Sequence, residues 1–419
     1  MSDAVNSATA NYDVIVIGGG PAGLSAATEL KRLGVPRVAV FEREPIAGGI
    51  PRHCGHPPFG MREFTRILTG PQYAKRMVKV ALDAGVELLT STSVVEAKPG
   101  GRLIITSNNG LEEKTARRIV IATGVRETPR AARLISGTRP LGVINTGALQ
   151  SMIYLKNQKP FERPVIVGTE LVSFSAIQTC RHAKIRPVAM IEQSDRVTAR
   201  WPTAEFARLV GIPVHLKTRL LEIKGGERTS AVVIEDHNGV KRTIDCDGVI
   251  LTGQFTPEAS LARSGHLTVD PASGGPVVDQ FGRCSDPAYF ATGNLLRPVE
   301  TAGWSWNEGR KIGRWIADDL AGKLSRQGPE LQIVTSDNII RFAVPQRIQL
   351  PYGIAGMQDL QLRFSKSAKG TLVALSDEKV IYKKRMSVHP ERRFLIPLHK
   401  IVGNRESGHI ELRFDEMVK

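Results

Sequence analysis

Three glycines and one glutamate near the start of the chain have the types and spacing needed to bind a dinucleotide. Gly18, Gly20 and Gly23 stand in the G-x-G-x-x-G register, and Glu42 follows about 20 residues later. In this pattern the first glycine makes a sharp turn and the second lets a pyrophosphate lie against bare backbone. The third allows a helix to pack closely on a strand, and the acid binds a ribose hydroxyl. These residues predict an adenine dinucleotide site.

The surrounding sequence supplies the elements that would position these four residues. The apolar run 13–17 predicts a strand that ends at the glycines, and the alanine-rich segment from Pro21 and Ala22 predicts a helix. The helix N-terminus would direct free N–H groups and the positive end of its dipole at the phosphates. A second apolar run, 37–41, leads into Glu42. Strand, turn, helix and acid in this order favour a nucleotide site over a chance glycine-rich turn.

Two later segments favour FAD over NAD. Residues 118–124 form an apolar run that ends in Ala-Thr-Gly, and residues 288–294 repeat this design. With the first glycine loop, they resemble the three FAD signatures of the pyridine nucleotide–disulfide oxidoreductase superfamily. The resemblance implies an α/β fold with two Rossmann-like (βαβ) dinucleotide-binding domains, one nested in the other. It also implies that FAD contacts Gly18, Gly20, Pro21, Ala22, Gly23, Glu42, Arg43, Gly49, Ile50, Val94, Ala122, Thr123, Gly124, Gly293 and Asn294.

Asn294 departs from the superfamily pattern, which usually has an aspartate that accepts a hydrogen bond from a ribityl hydroxyl. An asparagine is neutral but still forms hydrogen bonds. We therefore expect FAD binding to be kept and the electronic properties of the flavin to be altered.

A second nucleotide-binding unit is expected between the two FAD halves, but two of its glycines are replaced. Residues 164–168 form the expected strand and first glycine, and Glu170 and Ser173 occupy the second and third glycine positions. Glu170 would bring a negative charge to the place where an anionic pyrophosphate approaches. The next strand, 188–192, still ends in an acid, Glu192. We expect the fold to be kept and the NAD(P) site to be lost; a rearranged loop that still binds NAD(P)H is the alternative.

The four cysteines are too far apart in sequence for cooperative thiol chemistry. No two of them have the short spacing of a redox dithiol, an iron–sulfur cluster or a zinc site. We therefore expect neither dithiol–disulfide exchange nor a metal centre. The four residues are Cys54, Cys180, Cys246 and Cys284.

Cys54 has a neighbourhood that can activate a thiol. It lies between His53 and His56, with Arg52 beside them, and positive neighbours can hold a thiol partly as thiolate. Cys54 and His53 are therefore candidate catalytic residues. The alternative is that glycines and prolines shape this loop while its histidines bind flavin or backbone.

The segments 49–56 and 68–74 are similar to a narrower branch of the superfamily. This branch contains the FAD subunits of opine oxidases and hydrogen cyanide synthase, and flavoproteins associated with glycerol-3-phosphate dehydrogenases. In it a separate subunit oxidises the substrate, and the flavoprotein carries electrons. Several members end in a cysteine-rich iron–sulfur module, which this sequence lacks.

The formal net charge of +16 calls for an anionic partner. A positive field favours an acidic partner subunit, an anionic substrate or contact with an anionic membrane surface. Nucleic acid is not expected, because aromatic residues make up 5% of the chain and no basic recognition element is visible. The first 12 residues lack the pattern of a targeting peptide, and no apolar run is long enough for a transmembrane segment. With unpaired cysteines, this predicts a cytoplasmic protein.

The last 90 or so residues change from β/α units to alternating polar and apolar residues. Segments 360–364, 371–375, 379–382 and 409–414 are predicted strands, which favours a small β-sandwich-like module serving as an interaction surface or a structural cap. The expected boundaries are 1–11 disordered N-terminus, 12–130 and 244–328 FAD-binding domain, 131–243 nested NAD(P)-binding-like domain, and 329–419 C-terminal module.

Three residues after the last FAD motif are further candidates. Arg297 and Glu300 are candidate charges of a substrate pocket. Trp304 either stacks near the flavin ring or packs in the interior.

The sequence as a whole predicts an FAD-dependent oxidoreductase that acts on a small-molecule substrate as one subunit of a multi-component dehydrogenase or oxidase. A homo-oligomer is the alternative assembly. The first alternative function is a stand-alone NAD(P)H-dependent reductase. The second is a non-enzymatic flavin-fold scaffold, against which the three FAD motifs argue.

Overall fold

The computed structural model describes residues 10–298, 300–324, 328–353, 355–403 and 405–417. The chain divides into two compact units, of which the second is inserted into the sequence of the first. The described residues of the first unit lie within 10–49, 74–125 and 257–417, and those of the second within 50–73 and 126–256. Residues 1–9, most of the segment expected to be disordered, lie outside the described residues.

The first unit is built on a seven-stranded sheet. Its central strands are runs of valine and isoleucine that are buried on both faces, as parallel strands between covering layers must be. Ile15 pairs with Ala39 on one side and with Ile119 on the other, both in parallel register. The strands are Tyr12–Ile17, Val38–Phe41, Glu87–Leu89, Ser93–Lys98, Arg102–Ser107, Gly110–Ile121 and Tyr289–Ala291.

Two helices of the first unit pack with unusually close backbones. They are Pro21–Arg32, which follows the glycine loop, and Ala302–Leu320, which follows the last FAD motif. A Cβ atom added to Gly309 would lie 2.1 Å from the carbonyl oxygen of Ala22. The Ser25 hydroxyl donates a hydrogen bond of 2.5 Å to the Trp306 carbonyl. The helix Ala302–Leu320 therefore fixes the position of the helix behind the glycine loop.

The C-terminal part of the first unit consists of two sheets that share one apolar core. Leu360, Leu362, Leu372, Ile410 and Leu412 are all buried in this core. The four predicted strands are confirmed, each lying within a longer strand. The strands are Glu330–Thr335, Ile340–Val344, Arg347–Gln349, Asp359–Phe364, Ala368–Ser376, Lys379–Val388, Phe394–Pro397 and Gly408–Glu416. The first unit also contains two short helices, Ser260–Arg263 and His399–Val402.

The second unit contains a five-stranded parallel sheet with the same strand–helix–strand order as the first. Its strands are Val143–Asn145, Pro164–Val167, Ala189–Ile191, Val214–His215 and Gly248–Leu251. Its helices are Met61–Phe64, Thr146–Lys156, Leu171–His182 and Phe206–Leu209. A second sheet of this unit contains Ser136–Gly137, Thr218–Gly225, Thr229–Asp236 and Lys241–Asp245.

The chain passes from one unit to the other after Gly49, within helix Gly70–Asp83, and at the paired strands Val125–Glu127 and Phe255–Pro257. The segment 50–73, which sequence analysis placed within 12–130, groups with the second unit. The reason is local: the Gly70 N–H donates to the Cys54 carbonyl at 3.0 Å, and Gly55 packs against the Tyr154 ring.

Within the described part of the chain, no helix combines the length and the hydrophobicity that a membrane crossing requires.

The helix contact yields a stability prediction. We expect Gly309→Ala to lower the free energy of unfolding by about 1–3 kcal/mol. The new methyl group would collide with backbone atoms of Ala22, which cannot rotate away as a flexible side chain could. Denaturant titration followed by circular dichroism measures this. Gly353→Ala is the matched control, since a Cβ there meets nothing within 4 Å. Equal stability of the two variants would contradict the close packing.

Candidate functional site

Two of the three loop glycines are required by the protein itself. Gly18 follows strand Tyr12–Ile17 at φ +109°, and a Cβ there would lie 2.6 Å from the Ala122 carbonyl oxygen. A Cβ on Gly23 would lie 2.0 Å from the Gly18 carbonyl oxygen. No other amino acid fits at either place without moving backbone.

Gly20 is different, because the protein leaves space at that position. The nearest atom to a Cβ added there is the Gly49 Cα, 3.9 Å away. Helix Pro21–Arg32 begins at this residue with no side chain capping its N–H groups. A side chain at Gly20 would therefore fill space beside uncapped helix N–H groups. An anionic pyrophosphate fits such a place, so the residues present fit a dinucleotide.

The Glu42 carboxylate is held in place for the ribose of such a ligand. Its residue is 7% exposed and directly follows strand Val38–Phe41. One carboxylate oxygen accepts a hydrogen bond of 2.8 Å from the Gly19 N–H, and the other accepts one of 2.9 Å from the Glu44 N–H. The carboxylate is thus fixed next to the glycine loop.

The other two FAD motifs meet the glycine loop at the same end of the sheet. Strand Gly110–Ile121 ends directly before Ala122, whose carbonyl lies against Gly18. A Cβ added to Gly293, at φ +73°, would lie 2.8 Å from the Cβ of Ala22. The Thr123 hydroxyl donates to the Glu258 carbonyl at 2.7 Å. Three motifs that are far apart in sequence therefore form one site.

Several further predicted contacts are less closely tied to this loop cluster. Arg43 is exposed beside Glu42, Gly49 packs on Gly20, and Val94 lies on strand Ser93–Lys98. Gly124 takes φ +78° with free space around it. Ile50 belongs to the second unit. Their contacts with FAD stay predictions.

Asn294 uses its side chain to close a loop. Its Oδ1 accepts a hydrogen bond of 2.8 Å from the Glu300 N–H, and its Nδ2 donates one of 3.0 Å to the Glu300 carbonyl. This pair of bonds fixes the turn before helix Ala302–Leu320. The predicted contact of Asn294 with the ribityl chain stays a prediction.

The second unit has a glutamate directly before the corresponding helix, and its carboxylate accepts no hydrogen bond from the helix N–H groups. Glu170 directly precedes helix Leu171–His182, at the position that Gly20 occupies before its own helix. Its Oε1 accepts a hydrogen bond of 3.2 Å from the Gln254 N–H, and a Cβ added to Gly253 would lie 2.3 Å from it. The second unit therefore has a charged side chain at the position where the first unit has Gly20, which has no side chain.

The rest of this second motif keeps its frame through side-chain bonds. Ser173, at the third glycine position, is buried, and its hydroxyl lies 2.6 Å from the Thr252 hydroxyl. The Thr169 hydroxyl donates to the Glu192 carboxylate at 2.5 Å, and the Ser194 N–H donates to it at 2.8 Å. Glu192 is therefore held much as Glu42 is, but by a threonine hydroxyl instead of a glycine N–H.

Cys54 lies in the second unit, and its free thiol is buried. Its Sγ is 3.4 Å from Oε1 of Gln150, whose Nε2 donates to the Ser175 hydroxyl at 2.7 Å. The Nε2 atom of His56 lies 2.5 Å from the same hydroxyl oxygen. Burial, and then the negative charge of Glu127, raises the pKa of Cys54 to about 12. Burial therefore acts against the partial thiolate that the positive neighbours in the sequence favour, and a role of Cys54 in catalysis stays a prediction.

The other thiols are equally unsuited to cooperative chemistry. His53, the second candidate catalytic residue, is 8% exposed, and its role in catalysis stays a prediction. Cys180, Cys246 and Cys284 are free and buried, and burial raises the pKa of each. In the part of the chain that the structure describes, no group of three potential metal ligands comes together.

Sequence reasoning missed the partners of the residues after the last FAD motif. Arg297 forms an ion pair with Glu308, and Glu300 pairs with Arg363 and Arg393 of the C-terminal module. The two arginines lie between 60 and 100 residues beyond Glu300 in sequence, so local patterns carried no signal for them. Trp304 is 40% exposed and lies under the Arg393 guanidinium, so interior packing does not describe it.

Comparison with known proteins agrees with this geometry. The family described as Pyridine nucleotide-disulphide oxidoreductase matches residues 12–309. An opine oxidase subunit of Rhizobium meliloti (strain 1021) is 30% identical over 43% of this chain and 38% of its own length. Dihydrolipoyl dehydrogenase of Manduca sexta is 26% identical over 72% of this chain and 67% of its own length.

A solved structure shows the same fold. The crystal structure of T. acidophilum thioredoxin reductase has a TM-score of 0.62 at 22% identity, covering 74% of this chain and 98% of that one. These matches confirm the superfamily resemblance, its opine-oxidase branch and the α/β fold. This chain spans little more than a third of the opine oxidase protein that it matches.

The space at Gly20 gives a binding prediction. We expect Gly20→Leu to abolish FAD binding, because the side chain would occupy the space beside the uncapped helix N-terminus. The flavin absorbance of the purified protein measures this. Gly353→Leu, at a position with no atom within 4 Å of an added Cβ, should stay yellow. A yellow Gly20→Leu variant with full flavin content would exclude this loop as the pyrophosphate site.

The raised thiol pKa gives a reactivity prediction. With a pKa of about 12, about one Cys54 side chain in ten thousand is ionised at pH 8. We expect an aromatic disulfide reagent to label no cysteine of the folded protein at pH 8 within minutes. All four should be labelled in guanidinium chloride. Fast labelling of the folded wild type that disappears in Cys54→Ser would show an accessible thiolate.

Proposed function

Since the chain belongs to the pyridine nucleotide-disulphide oxidoreductase family, we propose that it is the electron-carrying subunit of a multi-component dehydrogenase or oxidase. The chain is an FAD-dependent oxidoreductase. When bound, the isoalloxazine of FAD supplies the two-electron chemistry. The protein holds the dinucleotide through the backbone at Gly20 and the carboxylate of Glu42, as its loop geometry supports.

The observation that carries this proposal is the carboxylate of Glu170. Two unit charges 4 Å apart repel by about 4 kcal/mol at an effective dielectric constant of 20. Glu170 directly precedes helix Leu171–His182, and the Gln254 N–H holds its carboxylate by a hydrogen bond, so a pyrophosphate at this helix would meet its negative charge. Because this site then rejects NAD(P)H, electrons must reach the flavin from another donor. An electron-carrying subunit receives them from the partner that oxidises the substrate.

Two other features support a partner protein. The relative with 30% identity is, by its name, one subunit of an opine oxidase. The strand Lys379–Val388, at the edge of its sheet, exposes Lys383, Lys384 and Arg385. Positive charges on an edge strand disfavour pairing with the edge strand of another sheet, and they favour contact with an acidic partner surface. The four free cysteines support the cytoplasmic location expected from the sequence.

A stand-alone NAD(P)H-dependent reductase is the second candidate. The observation in its favour is the frame around Glu192, which keeps a carboxylate at the ribose position. A shift of the Glu170 side chain would then be sufficient to admit the dinucleotide.

The two candidates differ in one measurement. We expect the oxidised flavin of the purified wild type to stay unbleached when it is mixed anaerobically with NADH or NADPH in a stopped-flow instrument. Bleaching within seconds would contradict the proposal and identify a reductase. A colourless protein that takes up no added FAD would contradict both candidates.

Variants locate the cause. We expect Glu170→Gly, with the charge removed and the backbone bared, to be bleached at least about tenfold faster by NADH than the wild type. Glu205→Gly removes an exposed charge from the same unit and serves as the matched control. Identical behaviour of the two variants would show that Glu170 is not what excludes NADH.

A further inference from the structure

Arg297 is a buried cation in the loop after the third FAD motif. Its residue is 1% exposed, and its guanidinium forms an ion pair with Glu308. Glu308 also accepts a hydrogen bond of 2.9 Å from the Gly293 N–H, so its carboxylate is shared. Among the described residues, Nε and Nη1 of Arg297 find no hydrogen-bond acceptor. A fully buried guanidinium with unused donors normally has a further anionic partner.

The C-terminal module brings two more arginines to this place. Arg363, on strand Asp359–Phe364, donates to Glu300 at 2.8 Å and is 6% exposed. Its Nε and Nη1 also find no acceptor among the residues that the structure describes. Arg393 lies 3.8 Å from the other oxygen of Glu300, and its guanidinium stands 3.9 Å above the Trp304 ring.

The charges of this cluster do not cancel. Three guanidinium groups pair with two carboxylates, those of Glu300 and Glu308, and the charge of Arg341 also acts on Arg363, so positive charge is in excess. The pKa of Arg297 is lowered to about 9, mainly by burial, which outweighs the opposing charge of Glu300, with smaller contributions from Arg393 and Arg363. A buried excess charge is costly unless a counter-ion completes the cluster.

We propose that Arg297, Arg363 and Arg393 form a binding site for the carboxylate group of a small organic acid. The planar fork of a guanidinium matches a carboxylate, which can accept two hydrogen bonds side by side. A carboxylate would supply negative charge to this positive cluster. Its more exposed members are Trp304, which is 40% exposed, and Arg393, whose side chain is 15% exposed.

This inference goes beyond the proposed function, since it gives the electron-carrying chain a carboxylate site of its own, in addition to the partner that oxidises the substrate. It also assigns a task to the C-terminal module, which supplies two of the three arginines. The rival explanation is an ion-pair network that only fastens this module to the preceding helix. That network would use the bonds to Glu300 and Glu308, but it provides no acceptor, among the residues that the structure describes, for the Nε and Nη1 atoms of Arg297 and Arg363.

The test is equilibrium binding to the purified full-length chain with FAD bound. The probes are 2-hydroxy-, 2-amino- and 2-oxo-carboxylates, each compared with its neutral amide, and inorganic phosphate at equal ionic strength. Binding is read from the flavin difference spectrum and from the melting temperature, neither of which requires turnover. We expect at least one carboxylate to bind saturably while its amide and phosphate do not.

Variants connect binding to the cluster. We expect Arg393→Gln to raise the dissociation constant about tenfold or more, because a charge-assisted pair is lost. Arg385→Gln, an exposed arginine of the same module, removes the same charge and should leave it unchanged. If Arg393→Gln fails to fold, Arg393→Lys keeps the charge without the fork and should still weaken binding.

Several results would overturn the inference. No saturable binding of any carboxylate to a yellow protein would do so while leaving the proposed function intact. Equal binding of amides would show that the arginines do not recognise charge, and equal binding of phosphate would show a different ligand class. Equal weakening of binding by Arg385→Gln would show that the ligand responds to the overall positive charge of the module and not to the arginine cluster. A protein that takes up no FAD would instead contradict the proposed function.

Discussion

At the start of helix Pro21–Arg32, backbone N–H groups face a position that carries no side chain. Such a helix end is a site for an anion, and its use depends on whether a pyrophosphate can approach the backbone. Gly20 keeps the approach open, while Gly18 and Gly23 allow the strand, turn and helix to come together around it. The other FAD loops, the Glu42 carboxylate and the contact at Gly309 all hold this one helix end in place.

The second unit shows what happens when the same constraint is relaxed. Glu42 follows Gly18 by 24 residues, and Glu192 follows Gly168 by the same number. The strand, the positive-φ glycine and the terminal acid are all present, so the architecture is a repeat of the first unit. A single position, Gly20 in one and Glu170 in the other, separates a helix preceded by a bare glycine from one preceded by a charged side chain.

Local patterns predicted the elements and loops of the FAD site, because each of its motifs is a strand followed directly by a turn. They did not predict the ionisation of Cys54, since its pKa depends on burial and on Glu127, 73 residues away. Nor did they predict the grouping of segment 50–73 with the second unit, which rests on packing against Tyr154. Only part of the arginine cluster was predicted: Arg297 and Glu300 were candidates from the sequence, and the arginines of the C-terminal module were not.

The side-chain bonds of the second motif have a consequence for how the chain responds to its supply of flavin. In that unit the side chains of Thr169, Glu170 and Ser173 form hydrogen bonds with other protein groups, so the protein itself holds the loop. A ligand bound at the helix end of the first unit stabilises that unit by mass action, so its stability rises with the FAD concentration. A shortage of riboflavin in a cell would therefore lower the stability of the first unit, and with it both the abundance and the activity of this protein.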